Sequence, residues 1–285
     1  MTSLIERLGY RREDRLLIVN CDDLGSSHSA NVAAFQAMTY GVATSASLMV
    51  PCPWASEAAR MFEGLPVGVH LTLTSEHAGY RWRSLTGAPS LHDAGGFFPA
   101  TTALALGRQD AEDVRAECRA QVDTAVAWGV DVTHIDTHMD VLHANEELFA
   151  IYLDLAEQFG IPIRLPYQPD FPARDMAEAR GILSADHLIY TWPHPTRDVI
   201  FDECRALPSG VTELFAHPVL DGEELRGYDL HHVDIRVHDA MALTDPSVAV
   251  LLDQHDVRRV SYRELRTLQR AEYPSAQERP ALIDP

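Results

Sequence analysis

Asp22 and Asp23 stand side by side at the end of the apolar run Leu16-Leu17-Ile18-Val19, with the turn Leu24-Gly25-Ser26-Ser27 behind them. Two adjacent carboxylates repel each other and lose hydration beside a buried strand, so a cation or a proton transfer is needed to offset the cost. Imidazoles close other short apolar runs: His70 after Val67-Gly68-Val69, His134 and His138 within Val132-Thr133-His134-Ile135-Asp136-Thr137-His138, and His217 after Phe215-Ala216. One Asp with two His is a ligand set for a divalent metal, and it leaves a spare Asp and a spare His for acid–base work. The chemistry this combination suggests is metal-dependent hydrolysis.

Such residues need a scaffold that gathers strand ends. Apolar runs over 16–20, 45–50, 67–73, 132–137, 161–165, 187–191, 211–216 and 257–262 alternate with helical patterns, which is the βαβα order of a parallel sheet or barrel. One predicted helix runs from Ala111 to Trp128, with Val114, Cys118, Val122 and Ala125 on one face and a stop at Gly129. Another begins after the cap Asn145, carries Leu148, Ile151, Tyr152, Leu155 and Phe159, and stops at Gly160. Eight strands with helices between them predict an α/β fold, a barrel like the (β/α)₈ TIM barrel, whose functional groups gather at the carboxyl ends of strands. Asp22, His70, His138 and His217 all lie at such ends.

The individual residues differ in how firmly they are aimed. His134 and His138 are spaced to share a face of a strand or a turn of helix, and both are candidates for the pocket, while Asp136 is read as structural, facing the layer between sheet and helices. Asp22 and Asp23 point to opposite sides of an uninterrupted strand, so both reach one site only if the chain turns there, which Gly25 favours. The segments 74–108 and 166–195 are long and irregular. The first, with Tyr80, Trp82, Phe97 and Phe98, is expected to cover the substrate, and Trp82 is a candidate substrate contact. The second holds Tyr167, Phe171, Trp192 and His194, rings that either stack on sugar faces or pack the loop onto the barrel.

The chain of 285 residues is long enough for one large core and is read as a single domain, with a polar tail from about 271. A formal net charge of -19 argues against broad contact with nucleic acid or an anionic membrane. Four scattered cysteines without C-x-x-C spacing, no apolar leader at the N-terminus and no run long enough to span a bilayer lead to the expectation of a cytoplasmic protein. A homodimer is the default assembly.

Five stretches, in order, resemble the successive motifs of the YdjC-like carbohydrate deacetylases: Leu16 to Gly25, Gly41 to Val50, Gly68-Val69-His70-Leu71, Thr133-His134-Ile135-Asp136-Thr137-His138 and Glu213-Leu214-Phe215-Ala216-His217-Pro218. The resemblance implies a distorted (β/α) barrel, a divalent metal on an Asp-His-His set and hydrolysis of an N-acetyl group on a sugar. Carried onto this chain, it implies Asp23, His70 and His138 as metal ligands, Asp22 as general base and His217 as the second acid–base group. Leu24 stands where the family more often has Phe. Met139-Asp140-Val141-Leu142-His143 replaces the further histidines of the chitooligosaccharide branch, so Asp140 is a candidate either for a substrate hydroxyl or amine or, with slight preference, for a helix cap. Arg164 is expected to fix Asp22 or a substrate hydroxyl, against the alternative of a surface arginine, and Glu213 to orient a histidine. The ligand types suit Mg²⁺ or Zn²⁺ and admit Mn²⁺, Co²⁺ or Ni²⁺. Rival readings are a hydrolase of another acyl amide or of a phosphoester, and a sugar-binding protein without activity.

Overall fold

A computed structural model describes residues 2–165 and 171–273. Among the described residues, seven parallel strands form one curled sheet: β1 (Arg15–Leu24), β2 (Ser45–Leu48), β3 (Val67–Leu71), β4 (Ile135–Thr137), β5 (His187–Tyr190), β6 (Gly210–Ala216) and β7 (Val257–Arg259). Their order is β4-β3-β2-β1-β6-β5. β1 is central because its run of apolar side chains is buried on both faces, the usual condition of a strand with crossover helices on its flank. One edge of β1 pairs with β6 along its length, while β7 takes its first three residues and β2 its last ones on the other edge.

The predicted strand 161–165 is reduced to one bridge, Ile135 with Ile163. Pro162 has no N–H to give a ladder, although its carbonyl still accepts from Ile135. The Ile163 N–H then reaches the Leu183 carbonyl, so the gap between β4 and β5 is spanned by single hydrogen bonds rather than by an eighth strand. The result is a half-barrel in place of a closed ring.

The helices follow their caps. Asp110 accepts from the amides of Glu112 and Asp113 to open Ala111–Ala127, and Asn145 accepts from Leu148 to open Glu146–Phe159, which ends at Gly160 with φ 60°. Segment 74–108 packs its large rings inward: Phe98 and Trp82 are buried, and the Tyr80 hydroxyl donates to the Ser26 carbonyl. The helix Tyr262–Glu272 runs through the expected start of the polar tail, which from residue 274 on lies outside the described residues, as does Tyr167.

Candidate metal centre

The carboxyl ends of β1, β3 and β6, with the turn that follows β4, surround a cavity of about 790 Å³. The turn needed to aim both aspartates lies in Asp23 itself. Its φ is 61°, and the register of β1 against β2 slips between Cys21 and Leu24, so Asp22 and Asp23 both line the cavity. A left-handed non-glycine residue costs backbone energy and is characteristic of functional sites.

Asp23, His70 and His138 bring one atom each to a common point. Asp23 Oδ1 lies 3.5 Å from His70 Nε2 and 3.3 Å from His138 Nδ1, and these two nitrogens are 3.2 Å apart. Asp23 Oδ1 is buried and has no hydrogen-bond partner. The far nitrogen of each ring is tied to a carboxylate: His70 Nδ1 to Asp136 at 2.7 Å, and His138 Nε2 to Glu76 at 3.1 Å. A proton held on the outer nitrogen leaves the inner one with a lone pair, the arrangement that orients metal-binding imidazoles. An oxygen without a donor and two facing lone pairs fit a divalent cation.

The local field has the same sense. Burial works against charge on His138, but Glu76 and Asp23 outweigh it and push its pKa up to about 10. Burial would raise the Glu76 carboxyl, yet the His138 ring draws it down to about 2. Asp23 is likewise held well below the usual carboxylate range, against burial, chiefly by Arg236. A second convergent set, Asp22, His70 and Asp136, fits less well. Both of its carboxylates already lie on the Arg164 guanidinium, whose fixed charge would oppose a cation there.

Asp22 is held differently from its neighbour. Arg164 grips both of its oxygens, at 2.6 and 2.7 Å, and Asn20 Nδ2 donates to Oδ1 at 2.8 Å. Such bidentate pairing fixes the plane of the carboxylate. His217 Nε2 stands 4.0 Å from Asp22 Oδ2, its Nδ1 is buried without a partner, and burial pulls the ring below its ordinary pKa. Arg164 is thus buried and fixes Asp22, as one of its expected roles required.

Several expectations need correction. Residues two apart share a face of a strand, so His134, Asp136 and His138 alternate together, and Asp136 points inward to His70, Ser47 and Arg164 rather than into the helix layer. His134 does not reach the cavity; it stacks on Tyr262 with ring centres 3.8 Å apart. Glu213 holds Arg164 and Tyr262, not a histidine. Trp82 is not a cavity-lining residue: its indole N–H donates to the Thr74 carbonyl and its ring lies behind His77 and His138. Asp140 caps no helix, a task Asn145 performs. It lines the cavity from a turn in which Met139 and Asp140 are both left-handed, and it bonds His143 at 3.0 Å. Glu76 and Arg236 were not legible as site residues. Glu76 sits in an irregular segment, and Arg236 comes from a helix beyond the last motif, with Nη1 2.8 Å from Asp23 Oδ2.

Residues 16–254 match the family model described as YdjC-like protein. The chain belongs to the YdjC-like family. It is 33% identical over 282 residues to a carbohydrate deacetylase of Thermus thermophilus, covering 92% of this chain and 98% of that one. A carbohydrate deacetylase of Geobacillus stearothermophilus is 31% identical over 258 residues, covering 89% and 99%. The fold of this YdjC-like chain superposes on the crystal structure of an Enterococcus faecalis V583 protein with a TM-score of 0.79 at 24% identity, covering 88% of this chain and 99% of that one. No described helix is long and apolar enough to cross a membrane.

Proposed function

We propose that this protein removes the acetyl group from an N-acetylated sugar by metal-dependent amide hydrolysis, with Asp23, His70 and His138 as ligands. The observation that carries this is the convergence of Asp23 Oδ1, His70 Nε2 and His138 Nδ1, each ring backed by its own carboxylate. The names of the relatives, carbohydrate deacetylases at 33% and 31% identity, support the substrate class. Two nitrogens and one oxygen favour Zn²⁺, Co²⁺, Ni²⁺ or Mn²⁺ over Mg²⁺, which prefers an all-oxygen shell.

When bound there, the cation supplies Lewis acidity, polarising the amide carbonyl and lowering the pKa of water. Asp22, locked by Arg164, accepts the proton of the attacking water. His217, whose Nε2 faces Asp22, would deliver a proton from that nitrogen to the departing amine nitrogen. Trp192, Tyr190 and Tyr228 wall the same cavity and give a sugar ring apolar faces to lie against. Arg164 and Arg236 are both engaged by carboxylates, so among the described residues the cavity offers no uncommitted arginine for a phosphoester.

The test is acetate release from N-acetylated mono- and disaccharides by metal-stripped protein reloaded with Zn²⁺, Mg²⁺, Mn²⁺, Co²⁺ or Ni²⁺ in turn. Metal-dependent acetate supports the reading and names the metal and sugar class. Silence across the panel with one equivalent of metal bound would favour a different acyl substrate or a binding role.

A further inference from the structure

Asp23 is the one candidate ligand whose two oxygens live in different surroundings. Oδ1 faces the imidazoles and has no hydrogen-bond partner, while Oδ2 accepts from Arg236 Nη1 at 2.8 Å. Arg236 is itself fixed from behind. Its Nε donates to Asp229 Oδ2 at 2.9 Å, Asp229 Oδ1 meets His232 Nδ1 at 2.8 Å, and the guanidinium carbon lies 5.7 Å from the centre of the Trp192 ring. Arg236 and Asp229 are both buried, although the helix that carries the arginine, Val233–Thr244, contributes no other group to the ligand cluster. A rigid guanidinium fork held on two carboxylates keeps its position far better than a lysine could.

We infer that Arg236 is a positioning residue that confines Asp23 to a single ligand oxygen. This rests on the reading of Asp23, His70 and His138 as the metal set. A carboxylate with both oxygens available can chelate, adding a protein ligand and supplying more negative charge to the cation. With Oδ2 committed to Arg236, Asp23 donates through Oδ1 alone, and part of its charge is spent on the guanidinium. The arrangement gives up metal affinity in exchange for an electrophilic, less crowded cation. The sign is opposite to that of a residue that merely holds the site together, whose loss weakens metal binding.

The experiment loads the full chain with Co²⁺ and follows its visible absorption, its affinity by calorimetry and acetate release together, in the wild type, Arg236→Met and Arg236→Lys. The expected result for Arg236→Met is weaker absorption, reporting an added ligand, a Kd equal to or up to about 10-fold below that of the wild type, and kcat lower by about 10- to 100-fold. Arg236→Lys keeps the charge and guards against a misfolded methionine variant. It should shift each quantity in the same direction by less, because an ammonium can serve Asp23 or Asp229 but not both at once. Loss of Co²⁺ affinity by about 10-fold or more in parallel with activity in a folded Arg236→Lys protein, or an unchanged spectrum, would overturn the positioning role alone. Failure of the wild type to bind Co²⁺ through His70 and His138 would overturn both this role and the metal reading beneath it.

Discussion

Two buried layers of histidine and carboxylate stack inside the half-barrel, and only one of them opens on the cavity. In the upper layer His70 and His138 each give one nitrogen to a carboxylate and turn the other toward Asp23. In the lower layer His134 is equally buried, but its ring lies flat on Tyr262, whose hydroxyl donates to Glu213. Arg164 joins the two, holding Asp22 above and Glu213 below. Burial draws the His134 pKa down to about 3, whereas carboxylate neighbours push His138 up to about 10. Burial of a histidine on a strand therefore does not by itself mark a candidate ligand; convergence of its spare nitrogen with others is the added criterion, and His134 lacks it.

The sharpest break between the layers is expected from Asp22→Asn, which keeps the shape of the side chain and removes the base. Steady-state acetate release should fall by about 100- to 10,000-fold while calorimetry still counts one metal per chain. Glu76→Gln and Asp136→Asn strike the carboxylates behind the two rings. Each should weaken metal binding by about 10- to 100-fold, read in a competition titration against a chelator. Because Glu76 and Asp23 push the His138 pKa up to about 10, a cation that takes its Nδ1 at neutral pH should displace a proton. Affinity should thus rise by up to about 10-fold per pH unit below that value, and the binding enthalpy should depend on the ionisation enthalpy of the buffer. The smallest functional effect is expected in the lower layer. Tyr262→Phe removes the hydroxyl from Glu213 and should cost about 1–3 kcal/mol in urea unfolding, with metal affinity essentially unchanged. A loss of metal binding in Tyr262→Phe as large as in Glu76→Gln would erase the distinction between the layers.

What the residues announced in advance was the chemistry at strand ends. The apolar runs closing on Asp22, His70, His138 and His217 led to residues that line one cavity, because a parallel sheet delivers its carboxyl ends to one side. The helices at Ala111–Ala127 and Glu146–Phe159 were readable from their apolar faces and glycine stops, and the second also from its cap Asn145. Three things were hidden. Pro162 turned an expected strand into a single bridge, since a missing N–H outweighs an apolar pattern. The inward aim of Asp136 follows from plain alternation with His138, so that misreading was one of periodicity rather than of missing information. Glu76 and Arg236 hold the candidate ligands His138 and Asp23, and Asp229 holds Arg236, from irregular or late segments; no local spacing ties them to the motifs, and only the folded chain brings them within hydrogen-bonding distance.

Asp23 Oδ1, His70 Nε2 and His138 Nδ1 are proposed to hold one divalent cation. Anomalous scattering from crystals soaked with Zn²⁺, recorded on both sides of its absorption edge, addresses this directly. One strong peak is expected within about 2.0–2.2 Å of all three atoms, and it should vanish in His138→Ala. A peak between Asp22 and Asp136, or a metal-free site in crystals of protein that still releases acetate, would contradict the proposal.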